Sequence, residues 1–225
     1  MKLNFIKGFL NKTIAKQLRK PSGILAGKVG NEMNITNSFL YDFTIKVMQL
    51  KDNESILEIG FGNGKFFDKL FSTANDLKIS GLDFSPEMVK VATDNNLSTS
   101  NAGKLTLRFG SSDKIPFPDY SFDTIFCINV IYFWEQPADH LKEIYRVLKP
   151  GGKFYTSIRT KESLVQMPFA KYGFNVYSQD EWVTELETNM LHFVHIEKTQ
   201  NEPDAVFDKQ LYKVESLCIV AEKKR

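Results

Sequence analysis

Residues 57–67 read LEIGFGNGKFF, the stretch that settles the fold class. A short apolar run ends at Ile59, glycines follow at 60, 62 and 64, and an apolar-periodic helix begins behind them. Glycines in such a turn let the chain reverse tightly and bring backbone N–H groups close to a ligand. The N-terminus of the following helix adds partial positive charge. The alternative is a tight connection with no ligand. A dinucleotide fingerprint fails here: with Gly60 and Gly62 as its first glycines, the third falls on Lys65, where close packing wants no Cβ. A triphosphate loop also fails, because Gly64-Lys65 is followed by Phe66. Glu58 would repel a pyrophosphate and suits a cationic ligand or one carrying an ammonium group.

From Ser55 onward, short apolar runs alternate with helical stretches. Strands are predicted at 55–59, 77–82, 104–109, 122–128 and 153–158, and helices at 64–73, 86–95, 136–148 and 179–189. Such alternation implies crossover units, a mainly parallel sheet and helices on both faces. Residues 192–198 and 216–222 are two further strands, joined by a loop-like link rather than a helix, which predicts an antiparallel last strand inserted between the fifth and sixth. Upstream, apolar stripes predict helices over 3–18 (Phe5, Ile6, Phe9, Leu10, Ile14, Leu18) and 37–50. The expected organisation is one domain over 1–225, with 1–50 as a helical lid or docking segment.

The second strand ends GLDFS, which places Asp83 at its carboxyl edge beside the glycine turn. A carboxylate there can accept both hydroxyls of a ribose. Capping the helix that starts near Pro86 is the competing role, and it falls to Ser85. Phe84 can pack on the nucleoside.

These segments together resemble the class I S-adenosylmethionine-dependent methyltransferases, within the small-molecule group of quinone and sterol methyltransferases. LEIGFGNG resembles the family's E-x-G-x-G-x-G loop, GLDFSPEMVKVA its second-strand segment, IPFPDYSFDTIFC the approach to its fourth strand, and VLKPGGKF the turn into its fifth. The resemblance implies a Rossmann-like seven-stranded sheet and S-adenosyl-L-methionine as cofactor. It implies that Gly60, Gly62 and Gly64 face the methionine portion, with Glu58 holding the ammonium or the loop around it. Asp83 would take the ribose hydroxyls and Phe84 would lie along the adenine. The family commonly reads G-D-A after the third strand, where this chain has Gly110-Ser111-Ser112. Ser111 and Ser112 are therefore the adenine-side candidates, with a weaker neutral hydrogen bond in place of a charge-assisted one, and Asp113 as the compensating acid. Asn129 matches a position near the sulfonium and the acceptor. Helices ahead of the first strand cover the cofactor in a subset of the family, which makes Tyr41, Phe39 and Phe43 lid candidates; packing on the sheet is preferred for both phenylalanines.

Composition narrows the partners. The chain has 29 basic and 27 acidic residues, but residues 1–50 alone carry eight basic against two acidic. Arginines number only five, which provides poorly for bidentate base reading, so sequence-specific nucleic-acid binding is not expected. The basic 3–18 stripe has peripheral contact with an anionic membrane as its alternative use. Two cysteines in apolar runs read as reduced, buried thiols in the cytoplasm, and three scattered histidines form no metal motif. His192 and His195, three apart in one strand, are expected on opposite faces, and His140 at the surface or in a structural role. The acceptor is expected to be small and apolar or aromatic. Phe133 and Trp134 would belong to one wall of its pocket, and Met167, Phe169, Tyr172 and Phe174 would form an apolar lid opposite. Tyr132 is the candidate for orienting it. The competing readings are methylation of a protein or nucleic acid, a cofactor-binding protein without activity on the same fold, and a nicotinamide-linked oxidoreductase.

Overall fold

The computed structural model describes the backbone of residues 2–23 and 26–225 and the side chains of residues 8–23, 27–99 and 102–225. Phe5 and Ile6 of the predicted N-terminal stripe lie outside the described side chains. Helices α1 (Lys2–Arg19) and α2 (Ala26–Met48) precede β1 (Ser55–Ile59), α3 (Phe67–Phe71), β2 (Lys78–Asp83), α4 (Pro86–Asn95), α5 (Leu97–Asn101) and β3 (Leu105–Phe109). After β4 (Phe122–Ile128) and a 3-10 turn at Ile131–Phe133 come α6 (Pro137–Val147), β5 (Leu148–Arg159), α7 (Lys161–Val165) and α8 (Gln179–Thr188). The chain ends with β6 (His192–Lys198), β7 (Ala205–Phe207), β8 (Gln210–Tyr212) and β9 (Ser216–Glu222).

Seven strands form one sheet in the order β3-β2-β1-β4-β5-β9-β6. Neighbours from β3 to β5 pair in parallel, and β9 runs antiparallel to both β5 and β6. The last strand does insert between the fifth and sixth. Successive residues of β1 show why its sequence is apolar almost throughout. Ile56 packs into a core with Tyr41, Met48, Phe67 and Leu70 from the α2 and α3 side. Leu57 faces Leu141, Ile144, Trp182 and Leu186 from α6 and α8 on the other side. The chain runs from β1 outward through β2 and β3 on one side and then crosses back to β4 on the other, so the order reverses beside β1 and a crevice opens at the carboxyl ends of the strands.

Local sequence reading misplaced several boundaries, for physical reasons. Gly64 has φ +69, so the helix predicted from 64 starts only at Phe67. Helix α2 begins at Ala26 and not 37, despite Gly27 and Gly30. A Cβ at Gly30 would stand 3.3 Å from the Asn63 side chain, so this glycine permits a close approach to the glycine loop. Strand β5 starts at Leu148, with the Pro150-Gly151-Gly152 stretch accommodated by a register shift against β4. The loop-like 199–215 link contains the β7–β8 hairpin, whose turn residues Asp208 and Lys209 both have positive φ; with lysine in place of glycine, the usual turn signal was missing.

Two further expectations are corrected. A bulge between Phe193 and His195 sets His192 opposite Glu222 and His195 opposite Val220, positions two apart in β9, so the two histidines share a face of the sheet. In α1, Phe9 and Leu10 are 70% and 54% exposed, and the helix instead buries Ala15. Among the described residues, no helix is long and apolar enough to cross a membrane.

Because both faces of β1 are covered, Ile56→Ala and Leu57→Ala should each destabilise by about 2–5 kcal/mol. Val194→Ala on the half-exposed edge strand should stay within about 0.5 kcal/mol. Urea denaturation of the three variants checks the contrast; a mild Leu57→Ala would contradict a helix layer over that face.

Candidate active site

The crevice at the strand tips holds a cleft of about 340 Å³, within the size range of small-molecule sites. Its floor comes from the β1–α3 loop, the ends of β2 and β3, and the residues after β4. Leu18, Arg19 and Pro21 approach from the end of α1, and Met33 and Asn37 from α2. Arg19 pairs with Glu135 across the mouth at 2.8 Å.

Asp83 organises the floor. Its Oδ2 accepts the Gly62 N–H at 2.9 Å and its Oδ1 accepts the Ser85 N–H at 2.8 Å. Each oxygen keeps further acceptor capacity toward the cleft. Burial pushes this carboxyl up to about 6, against the lowering effect of the two N–H bonds. Ser85 caps α4 by accepting from the Met88 N–H, and its hydroxyl donates to the Pro21 carbonyl at 2.7 Å. That bond fastens the N-terminal segment to the edge of the site. Phe84 lines the cleft with the Lys20 ammonium 5.5 Å from its ring centre.

The three glycines have different surroundings. Gly62, at φ +59, has nothing within 4 Å of where a Cβ would stand, and its face is open. A Cβ on Gly60 would strike Val130 at 2.4 Å, and one on Gly64 would strike Ala92 at 2.8 Å. Gly64 is thus packed against α4 and is not among the cleft-lining residues. Asn63 ties the loop to α2, accepting from Asn34 at 3.1 Å and donating to Asn31 at 3.3 Å. No local pattern marks this asparagine clamp, whose members stand 29 and 32 residues apart.

Glu58 lies beneath the cleft and does not line it. Tyr41 donates to its Oε2 at 2.8 Å and stacks on Phe66, which explains why this lid candidate is buried. Burial pushes the Glu58 carboxyl up to about 8, opposed by the Tyr41 hydrogen bond and reinforced by Asp83. Asn129, at φ +57, lines the cleft and donates to Asn37 at 3.0 Å. Tyr132 stands behind it: its hydroxyl accepts from the Arg159 N–H at 2.7 Å and donates to Asn129 at 3.1 Å. Only 2% exposed, Tyr132 cannot meet an acceptor and acts on the cleft by fixing Asn129.

Ser111 and Ser112 both line the cleft beyond β3. Ser112 bonds His140 Nδ1 at 2.8 Å, and His140 stacks on Trp134 with ring centres 4.5 Å apart. His140 is therefore a buried cleft residue. The signal for it was present, since 140, 141, 144 and 147 are all buried positions on one face of α6. Phe133 and Trp134 do line the cleft, whereas the predicted lid does not. Met167 is buried in the core, and Phe169 and Phe174 pack against it.

A sheet of this order with a reversed last strand, and a glycine loop beside an acidic second strand, is the arrangement of an α/β protein of the methyltransferase type. Comparison with known proteins specifies it. The family described as "Methyltransferase domain" matches residues 57–156. The uncharacterized methyltransferase YdaC of Bacillus subtilis is 30% identical over 134 residues, covering 60% of this chain and 72% of YdaC. The ubiquinone/menaquinone biosynthesis C-methyltransferase UbiE of Geotalea daltonii is 35% identical over 112 residues, 49% of this chain and 48% of UbiE, so the chain spans about half the length of that relative. The chain solved in complex with the Haloferax volcanii Trm112 methyltransferase activator superposes with a TM-score of 0.76 at 21% identity, over 89% of this chain and 96% of that one. This protein belongs to the class I S-adenosylmethionine-dependent methyltransferases, related to the quinone and small-molecule group.

Gly64→Ala should cost about 2–4 kcal/mol, from left-handed backbone strain and overpacking together. Gly62→Ala should cost only the strain, about 1–2 kcal/mol. Chemical denaturation measures both, and equal losses would contradict the open face at Gly62. Glu58 makes the native state bind more protons than the unfolded chain between its ordinary 4.5 and about 8. Its contribution to stability is thus full below that window and is lost as pH rises through it. Glu58→Gln, always neutral, should gain in Tm over the native chain progressively from pH 5 to pH 8, at about 2–4 °C per kcal/mol. A pH-independent difference would show that Glu58 is ionised throughout.

Proposed function

We infer that this chain transfers the methyl group of S-adenosylmethionine to a small apolar or aromatic acceptor. One observation carries this reading: the buried Asp83 carboxylate lines the cleft while holding the open loop at Gly62. The residues fit such a cofactor. The Gly62 face, free of contacts, accommodates close approach of a ligand to the backbone. Asp83 retains acceptor capacity for the two ribose hydroxyls, and Phe84 offers a ring for the base. When bound, S-adenosylmethionine supplies an electrophilic methyl group on a sulfonium.

What the chain itself contributes is alignment and exclusion of water. Tyr132 and Asn37 fix the Asn129 side chain from two sides, so a polar group stands ready at the end of β4. Phe133 and Met33 give the cleft its apolar surface. Orientation of this kind supplies several kcal/mol of a displacement barrier. The 1–50 segment serves as the cover of the site, held down through Ser85–Pro21 and Arg19–Glu135. An apolar acceptor accords with the role of UbiE in ubiquinone and menaquinone biosynthesis and with the apolar cleft surface.

Calorimetry with S-adenosylmethionine and S-adenosylhomocysteine tests the reading. Asp83→Ala should weaken both at least tenfold, roughly 1.4 kcal/mol, and Asp83→Asn, which keeps one acceptor oxygen, should weaken them less. Unchanged affinity in Asp83→Ala would remove this carboxylate from the site.

A further inference from the structure

We propose that His140 reads the base of the bound nucleoside, selecting an amino-bearing purine over its deaminated form; this rests on the function inferred above. The strand order fixes the layout of the cleft. With the β1 loop at one end and Asp83 of β2 next, the tip of β3 lies farthest out. A nucleoside whose ribose meets Asp83 and whose sulfonium arm points to the β1 loop carries its base toward that tip. Residues 110–113 line the cleft there, and His140 reaches it from α6.

The imidazole is held on two sides and free on a third. Trp134 stacks on it at 4.5 Å with the rings 5° from parallel, and Ser112 Oγ lies 2.8 Å from Nδ1. His140 is 8% exposed. Among the described residues Nε2 has no hydrogen-bond partner and is not one of the fully buried unpartnered atoms, so it keeps some exposure, and the residue lines the cleft. Burial lowers the basicity of this ring, while Asp113 and Asp139 act the other way. A neutral imidazole has one acceptor nitrogen. In the tautomer this role requires, Nδ1–H donates to Ser112 Oγ, which makes Nε2 the acceptor, matched to an exocyclic amino group. A deaminated base presents an oxygen there, and two acceptors face each other without a proton. A site whose buried polar group is left unpaired discriminates strongly. Ser111 and Asp113 also line this end of the cleft but are exposed, whereas His140 is a buried acceptor held in a fixed orientation.

The test is calorimetric binding of S-adenosylhomocysteine and S-inosylhomocysteine to the full chain. The native protein should prefer the adenine form at least tenfold. His140→Ala should lose at least tenfold in adenine affinity while its inosine affinity changes less than threefold, bringing the preference near one. Ser112→Ala, which leaves the ring in place but releases Nδ1, should reduce the preference at least threefold, and it decides the matter if His140→Ala does not fold. Equal native affinity for the two ligands, or a preference unchanged in Ser112→Ala or in folded His140→Ala, would overturn the role of His140 and leave the cofactor reading standing. Failure of the native chain to bind either ligand would overturn both.

Discussion

The hydrogen bond from the Gly62 N–H to Asp83 joins the two features on which the site depends. A glycine loop with positive φ at three positions has little to hold its shape, and glycine carries a large conformational entropy cost. The carboxylate supplies a charge-assisted acceptor one strand away, and Ser85 occupies its other oxygen. The cost is an acid buried beside a second acid, which is why Asp83 and Glu58 are both pushed upward. Stability is thereby given up at neutral pH to keep acceptor capacity at the cleft.

The N-terminal helices depend on the same centre. Helix α2 meets the loop through Asn31 and Asn34 on Asn63, and meets the end of β4 through Asn37 on Asn129. The end of α1 reaches α4 through Pro21 and the β4–α6 loop through Arg19. Helix α2 is also anchored by apolar packing, since Tyr41 and Met48 belong to the core around Ile56, whereas the end of α1 is attached at small polar points. Attachment of the latter kind suits a site whose ligand must be enclosed.

Much of the architecture was legible in the sequence. The strands at 55–59, 122–128, 192–198 and 216–222 are as predicted, because apolar runs bounded by turn residues respond to a local period. The loop, Asp83, Phe84 and the serines after β3 all come to the cleft or its edge. What local reading misjudged were residues whose role is set by a distant partner. Tyr132 looked like a cleft residue but is satisfied by Arg159 and Asn129. His140 looked peripheral because its partner, Ser112, lies 28 residues away. Gly64 looked equivalent to Gly62 until the packing of Ala92 and Asn96 separated them.

The sequence by itself determined the alternation of strands and helices, the reversed last strand, and the family, since these follow from hydrophobic period and from motifs contained in single segments. Only the tertiary structure decided which face each polar group uses. Whether a glycine opens to a ligand or packs on a helix, and whether a tyrosine or a histidine meets the cleft, depends on atoms brought together from remote parts of the chain. Hydrogen bonds and steric contacts act over a few ångströms in space, and sequence spacing does not measure that distance.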